Sequence, residues 1–186
     1  MTGFGRTGTM FACEQAKITP DLMCLSKGLT GGFLPMGATL SCAEIYDAFY
    51  SEDRAKTFFH SSSYTGNAIA CAASVANLEI FETEPVMTRI ATLSERQARH
   101  LARFQDLAGI AEIRQMGTIG AIELKASDAG YFAALGPKLN RFYLEKDVLL
   151  RPLGNVVYVL PPYCIGADAL KQVYETIDES LGLIGN

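Results

Sequence analysis

Apolar and polar positions along this chain fall into two alternating rhythms. Residues 21–26 form a short apolar run between Pro20 and Lys27-Gly28, which predicts a buried strand with Lys27 at its end. A second run over 36–40 follows the Gly31-Gly32 turn and predicts another strand. Ser41-Cys42-Ala43-Glu44 then has the spacing of a capping box that opens a helix through Phe49. Residues 67–81, rich in Ala with interspersed Ile, Val and Leu, predict a helix packed closely on several sides. From Pro85 onward Met87, Ile90, Leu93, Leu101 and Phe104 recur at mostly helical spacing, with Arg89, Glu95, Arg96 and Arg99 on other faces, which predicts a surface or inter-domain helix.

The second half changes pattern. Short strands are predicted over 111–116 and 119–124, broken by Gly117-Thr118, followed by a helix over 137–146 and strands over 148–151 and 156–160. Leu170, Val173, Ile177, Leu181 and Ile184 line one face of a closing amphipathic helix. The expected organisation is therefore α/β: residues 1–84 as part of a larger domain, 85–106 as an inter-domain helix, and 107–186 as a small α+β domain.

Composition narrows the function classes. With 49% hydrophobic and 19% charged residues, the 186-residue chain has the profile of a packed protein rather than a disordered one. A net charge of -4 without basic clusters argues against nucleic acid as a partner. No window approaches the roughly 18 apolar residues of a membrane span, so the expectation is a cytoplasmic protein with no membrane partner. The five cysteines form no C-x-x-C pair and are expected to be reduced, buried thiols; with only His60 and His100 as imidazoles, no metal site is implied.

Candidate chemistry rests on four places. Gly3-Phe4-Gly5-Arg6-Thr7-Gly8 matches G-x-G-x-x-G, but no strand precedes it, and a glycine-rich turn is the better account. Lys27, at the end of a buried run, either snorkels to water or is held as a neutral nucleophilic amine, with Gly28, Gly31 and Gly32 allowing close approach of a planar ligand. Ser61-Ser62-Ser63-Tyr64-Thr65-Gly66-Asn67 puts hydroxyls at a helix start, as an ordinary N-cap or as a phosphate site. Arg151, in Leu150-Arg151-Pro152-Leu153-Gly154, offers a planar fork either to a ligand carboxylate or to a structural acid. His100 reads as solvated surface, and His60 as packing on Phe58 and Phe59.

In order along the chain, Thr2-Gly3-Phe4-Gly5-Arg6-Thr7-Gly8, Pro20-Asp21-Leu22-Met23-Cys24-Leu25-Ser26-Lys27-Gly28 and Ser63-Tyr64-Thr65-Gly66-Asn67 closely resemble the class III pyridoxal-phosphate aminotransferases. The resemblance implies the C-terminal part of a fold type I transferase, the end of the large-domain sheet plus the small α+β domain. It also implies a homodimer and a Schiff base between Lys27 and pyridoxal 5'-phosphate. By the same carry-over, Ser63, with Ser62 beside it, supplies the phosphate hydroxyl to the neighbouring subunit, and Ser61 contacts substrate. At 61 and 62 the family often carries Gly and Pro or His.

Thr57-Phe58-Phe59-His60, the Arg151 segment and Tyr158-Val159-Leu160-Pro161-Pro162-Tyr163 are similar to members that move an amino group from S-adenosylmethionine to 8-amino-7-oxononanoate. There Arg151 would hold the carboxylate, with Tyr158 and Arg6 near the substrate channel. The family motif places an aspartate for the pyridine nitrogen ahead of the residues matched here, so the polypeptide by itself is expected to have negligible turnover. The alternatives are a class III enzyme for ω-amino acids or diamines, and a non-catalytic interaction module.

Overall fold

The computed structural model describes residues 1–60, 62–126 and 129–184. Contacts divide the chain into two compact units, Met1–Met87 and Thr88–Asn186.

In the first unit the glycine-rich segment is a turn. Gly5 and Gly8 take φ of 94° and 91°, and the Gly8 amide donates to the Gly5 carbonyl at 2.9 Å. The turn leads into the single-turn helix α1 (Ala12–Ala16), whose start is closed by the Phe11 amide donating to Glu14 Oε1. Phe4 is buried within an aromatic group, 5.5 Å from Phe11 and 6.4 Å from Phe81. Strands β1 (Leu22–Ser26) and β2 (Gly37–Ser41) pair antiparallel, with Leu22 opposite Ser41 and Ser26 opposite Gly37.

The expected buried strand is instead half-covered: Met23 and Leu25 are partly buried, while Leu22 is 56% exposed. Among the described residues this ladder has no third strand, and burial alternates along β1, with Met23 and Leu25 partly covered and Leu22, Cys24 and Ser26 exposed. Helix α2 (Ala43–Phe49) is capped at Cys42 without a side-chain bond, not at Ser41 as the capping-box spacing suggested. Ser41 is still in the ladder, opposite Leu22, and its backbone is committed there.

Helix α3 (Ala68–Thr83) forms where Ala-rich sequence predicts it, and Asn67 Oδ1 accepts from the amides of Ile69 and Ala70 to cap it. Its expected close packing on several sides is not found. Only Ala70 and Ser74 are buried, and Ile69 is 71% exposed. One side of α3 meets the turn after β1, and Ser74 Oγ reaches Met36 Sδ at 3.0 Å.

Helix α4 (Val86–Ala102) buries Ile90, Leu93, Gln97 and Leu101 along one side, as its periodicity predicts. The second unit holds a three-stranded antiparallel sheet, ordered β3 (Ile110–Met116), β4 (Ile119–Leu124), β5 (Val156–Val159), with helices α5 (Leu135–Glu145) and α6 (Ala167–Ser180). Ile122, Leu124, Val157, Leu139, Leu170 and Ile177 meet in one core, each contributing about 1.5–3 kcal/mol by leaving water. The expected strand over 148–151 does not form. There the amides of Val148 and Leu150 bond locally to Tyr143 and Val148, Asn140 Nδ2 takes the Leu150 carbonyl, and Pro152 has no amide to offer a ladder.

Buried polar groups in this unit are satisfied through side-chain chains. Tyr174 donates to Gln97 Oε1, and Gln97 Nε2 to the Thr118 carbonyl. His100 is not solvated surface: it stacks on Tyr174 at 4.8 Å, and burial, then Arg103 and Arg99, hold its pKa below the ordinary imidazole range. Tyr143 bonds Ser180 at 2.9 Å. Nor are the cysteines buried as expected: all five are free, with Cys24 and Cys164 exposed and the others partly so.

Burial pushes the Tyr143 hydroxyl up to about 12 and raises Tyr174 as well. In the unfolded chain a tyrosine titrates near about 10. Their burial therefore contributes stability that is fully present below pH of about 10 and is lost as pH rises through the folded value. Denaturant melts of the full-length protein from neutral to strongly alkaline pH should show stability falling by on the order of 2 kcal/mol per tyrosine, and Tyr143→Phe should flatten that fall.

Candidate functional site

Lys27 stands where β1 stops. Ser26 is fully extended, at φ −164° and ψ −172°, and Lys27 turns into the left-handed region at φ 52° to open a 3₁₀ turn, Lys27–Thr30. A lysine in that region is uncommon, and such backbone strain concentrates where geometry serves function. The turn is closed by Gly31, at φ 62°, donating to the Gly28 carbonyl, and by the Gly32 amide donating to the Lys27 carbonyl at 3.0 Å. On one side the Phe4 ring lies on Gly28, so close that a Cβ there would come within 2.6 Å of it. From α3, Asn77 Nδ2 donates to the Gly28 carbonyl at 2.9 Å and approaches that of Leu29 at 3.4 Å.

The strand that ends at Lys27 is only half-covered and the lysine is exposed, opening into a cleft of about 1140 Å³. The cleft also receives Ser62, Tyr64, Thr65 and Asn67 from the loop before α3, and His60, which stacks on Phe58 at 5.9 Å. Among the described residues no carboxylate lines it. An amine, hydroxyls and a helix N-terminus face a common space without a negative charge, which suits an anion. Asn67 occupies two amides of the first turn, so the loop ends in an ordinary N-cap, while Ser62, Tyr64 and Thr65 line the cleft. Ser62 lines the cleft with Lys27; Ser63 and Arg6 do not, and Ser61 lies outside the described residues.

A second cleft, of about 800 Å³, lies in the other unit, between α5, the loop before it and the Arg151 bend. Arg151 is exposed there and has no acidic partner among the described residues, so the structural ion pair is not formed. The bend is rigidly made. Gly154 takes φ 62° against the backbone of Gly130, and the buried Asn155 side chain bonds the Leu124 carbonyl at 2.9 Å and the Gly130 amide at 2.8 Å. Arg141, Tyr131 and Phe132 share this cleft and carried no sequence signal. Tyr158 is not among its lining residues: it sits on β5 opposite Ala121.

The family model of class III aminotransferases matches residues 1–181. The chain belongs to that family. An adenosylmethionine-8-amino-7-oxononanoate aminotransferase from Synechococcus elongatus is 42% identical over 185 residues, which cover 97% of this chain and 42% of that relative. The crystal structure of the enzyme of that name from Methanocaldococcus jannaschii superposes with a TM-score of 0.90 at 35% identity, covering 100% of this chain and 44% of that one. An amine transaminase from an uncultivated Pseudomonas species, solved in its PLP-bound form, gives a TM-score of 0.86 at 29% identity over 99% of this chain and 43% of that one. The chain thus spans less than half the length of the relatives it matches, and its mixed helices and strands are those of this part of a pyridoxal-phosphate-dependent transaminase.

Membership of class III implies pyridoxal phosphate, and the residues around Lys27 fit it. A primary amine shares with hydroxyl donors a cleft that no carboxylate lines among the described residues, and Gly32 and Pro35 line it as well. Among the described residues no three His, Cys, Asp or Glu side chains gather as a metal site would need, and no helix is long and apolar enough to cross a membrane.

Proposed function

We propose that the full-length protein moves an amino group from S-adenosylmethionine to 8-amino-7-oxononanoate, giving 7,8-diaminononanoate, as a cytoplasmic homodimer with pyridoxal 5'-phosphate. When bound, that cofactor supplies an electron sink for the donor's α-carbon. Lys27 would hold it through its amine and, once released, carry a proton to and from the reacting carbon. Ser63, with Ser62 beside it, would supply the phosphate hydroxyl to the neighbouring protomer, and Ser61 would contact substrate. Arg151 would hold the carboxylate of 8-amino-7-oxononanoate through two parallel N–H bonds, with Tyr158 and Arg6 flanking the substrate's path.

The observation that carries the substrate assignment is Arg151, an exposed guanidinium at a braced bend that forms no ion pair among the described residues, with Glu145 the one carboxylate lining its cleft. The names of the relatives support the same substrates. In the full-length protein Arg151→Ala should raise KM for 8-amino-7-oxononanoate by roughly tenfold to a hundredfold, the worth of a charge-assisted pair, while KM for S-adenosylmethionine stays near its original value. An unchanged KM for the oxo acid, with turnover of ω-amino acids or diamines, would favour the other class III reading. No turnover with any amine would favour an interaction module.

A further inference from the structure

We infer that Asn77 is a positioning residue for Lys27, an assignment that rests on Lys27 being the cofactor-binding lysine. The turn that presents Lys27 is gripped from two sides. The Phe4 ring presses on Gly28 from one, and the Asn77 amide reaches the carbonyls of Gly28 and Leu29 from the other. Gly31 is what admits the amide: Asn77 Oδ1 lies 3.1 Å from where a Cβ at that position would stand. Within α3 an asparagine contributes little to the helix itself, since its side chain competes for backbone groups, so this position serves the turn rather than the helix.

The placement links the two ends of the cleft. Asn67, which lines it, caps the start of α3, and Asn77 lies ten residues further on, roughly 15 Å along the same helix axis. One helix therefore carries both the cap that ends the hydroxyl-bearing loop and the donor to the turn that Lys27 opens. Without the Asn77 donors, Lys27 is free to relax from φ 52° toward negative φ, which re-aims its amine. Misplacement of a reacting group by a fraction of an ångström lowers rate steeply.

The test uses the full-length protein with Asn77→Asp, which keeps the shape but cannot donate to a carbonyl, beside Asn77→Ala, which the helix tolerates. Pyridoxal phosphate is added, adducts are trapped on Lys27 with borohydride over time, and the pH profile of the bound cofactor's visible band is recorded. Thermal melts of the cofactor-free proteins run in parallel. Both variants should trap about tenfold more slowly and shift the pH profile, and Asn77→Gln, still a donor, should recover part of the rate. An Asn77→Asp protein that traps at the original rate with the original profile, whatever its melting temperature, overturns the inference. Unsubstituted protein that traps nothing on Lys27 instead defeats the reading of Lys27 itself, so the two failures differ in what they show.

Discussion

Lys27→Asn in the full-length protein is expected to leave the fold intact and to lower aminotransferase turnover by about a hundredfold to ten-thousandfold, the range lost with a positioned proton carrier. Asparagine is the informative replacement because Lys27 sits at φ 52°, and asparagine is among the few side chains that enter the left-handed region readily. Alanine at the same position would mix loss of the amine with backbone strain. Steady-state kinetics beside a thermal melt separates the two effects. A melt close to the unsubstituted one with turnover gone supports the role assigned to the amine. Turnover retained within a few-fold would remove Lys27 from the chemistry altogether.

Gly154→Ala should have the largest effect on stability, about 3 kcal/mol, the upper end for single substitutions. Two costs coincide. Gly154 takes φ 62°, where alanine is strained, and an added Cβ would stand 1.7 Å from the Gly130 carbonyl oxygen and 2.6 Å from its carbon. These are backbone atoms and cannot swing aside as the end of a flexible side chain would. Moving them pulls on the Gly130 amide, which donates to Asn155, and on Asn155, which also holds the Leu124 carbonyl on β4. Denaturant titration should show the loss, and where the variant still folds, the Arg151 bend should be displaced and KM for the carboxylate substrate raised. A destabilisation below about 1 kcal/mol would mean that the loop yields freely and that Arg151 is not held by it.

Much of the architecture is visible in residue patterns because burial has a period. β4 occupies the run read as 119–124, with Gly120, Ile122 and Leu124 turned inward, and α6 buries Leu170 and Ile177 on the face their spacing marks. What the patterns could not supply is the identity of the cover. The Ala-rich sequence of α3 reads as enclosed, yet most of its surface is open among the described residues, since hydrophobicity indicates that a face can be buried but not what lies upon it. The run 148–151 is apolar enough for a strand, but its amides are satisfied within the chain around it, a choice made by Tyr143 and Asn140 rather than by the run itself. His100 looked solvated because its partner Tyr174 lies far along the chain.

The site divides along the same line. Lys27, Ser62 and Arg151 are marked by motifs, and each is found lining a cleft. His60 and Tyr64 lie within matched motifs that gave them no role in the site, and Arg141 carried no signal at all, yet they line those clefts too. Asn77 left one trace: an asparagine inside an apolar helix, with a weak preference for that setting and therefore a reason elsewhere. The strained turn at Lys27 and the approach of Phe4 to Gly28 are properties of three dimensions only, because a phenylalanine 24 positions from a glycine carries no mark of contact.

The central claim is that Lys27 is the residue that binds the cofactor covalently. The most direct measurement adds pyridoxal phosphate to the full-length protein, reduces with borohydride and locates the modification by peptide mass spectrometry, with Lys27→Asn as the paired sample. The expected result is a single phosphopyridoxyl group on the peptide containing Lys27 and none in the paired sample. Modification spread over surface lysines, or unchanged in Lys27→Asn, would contradict it.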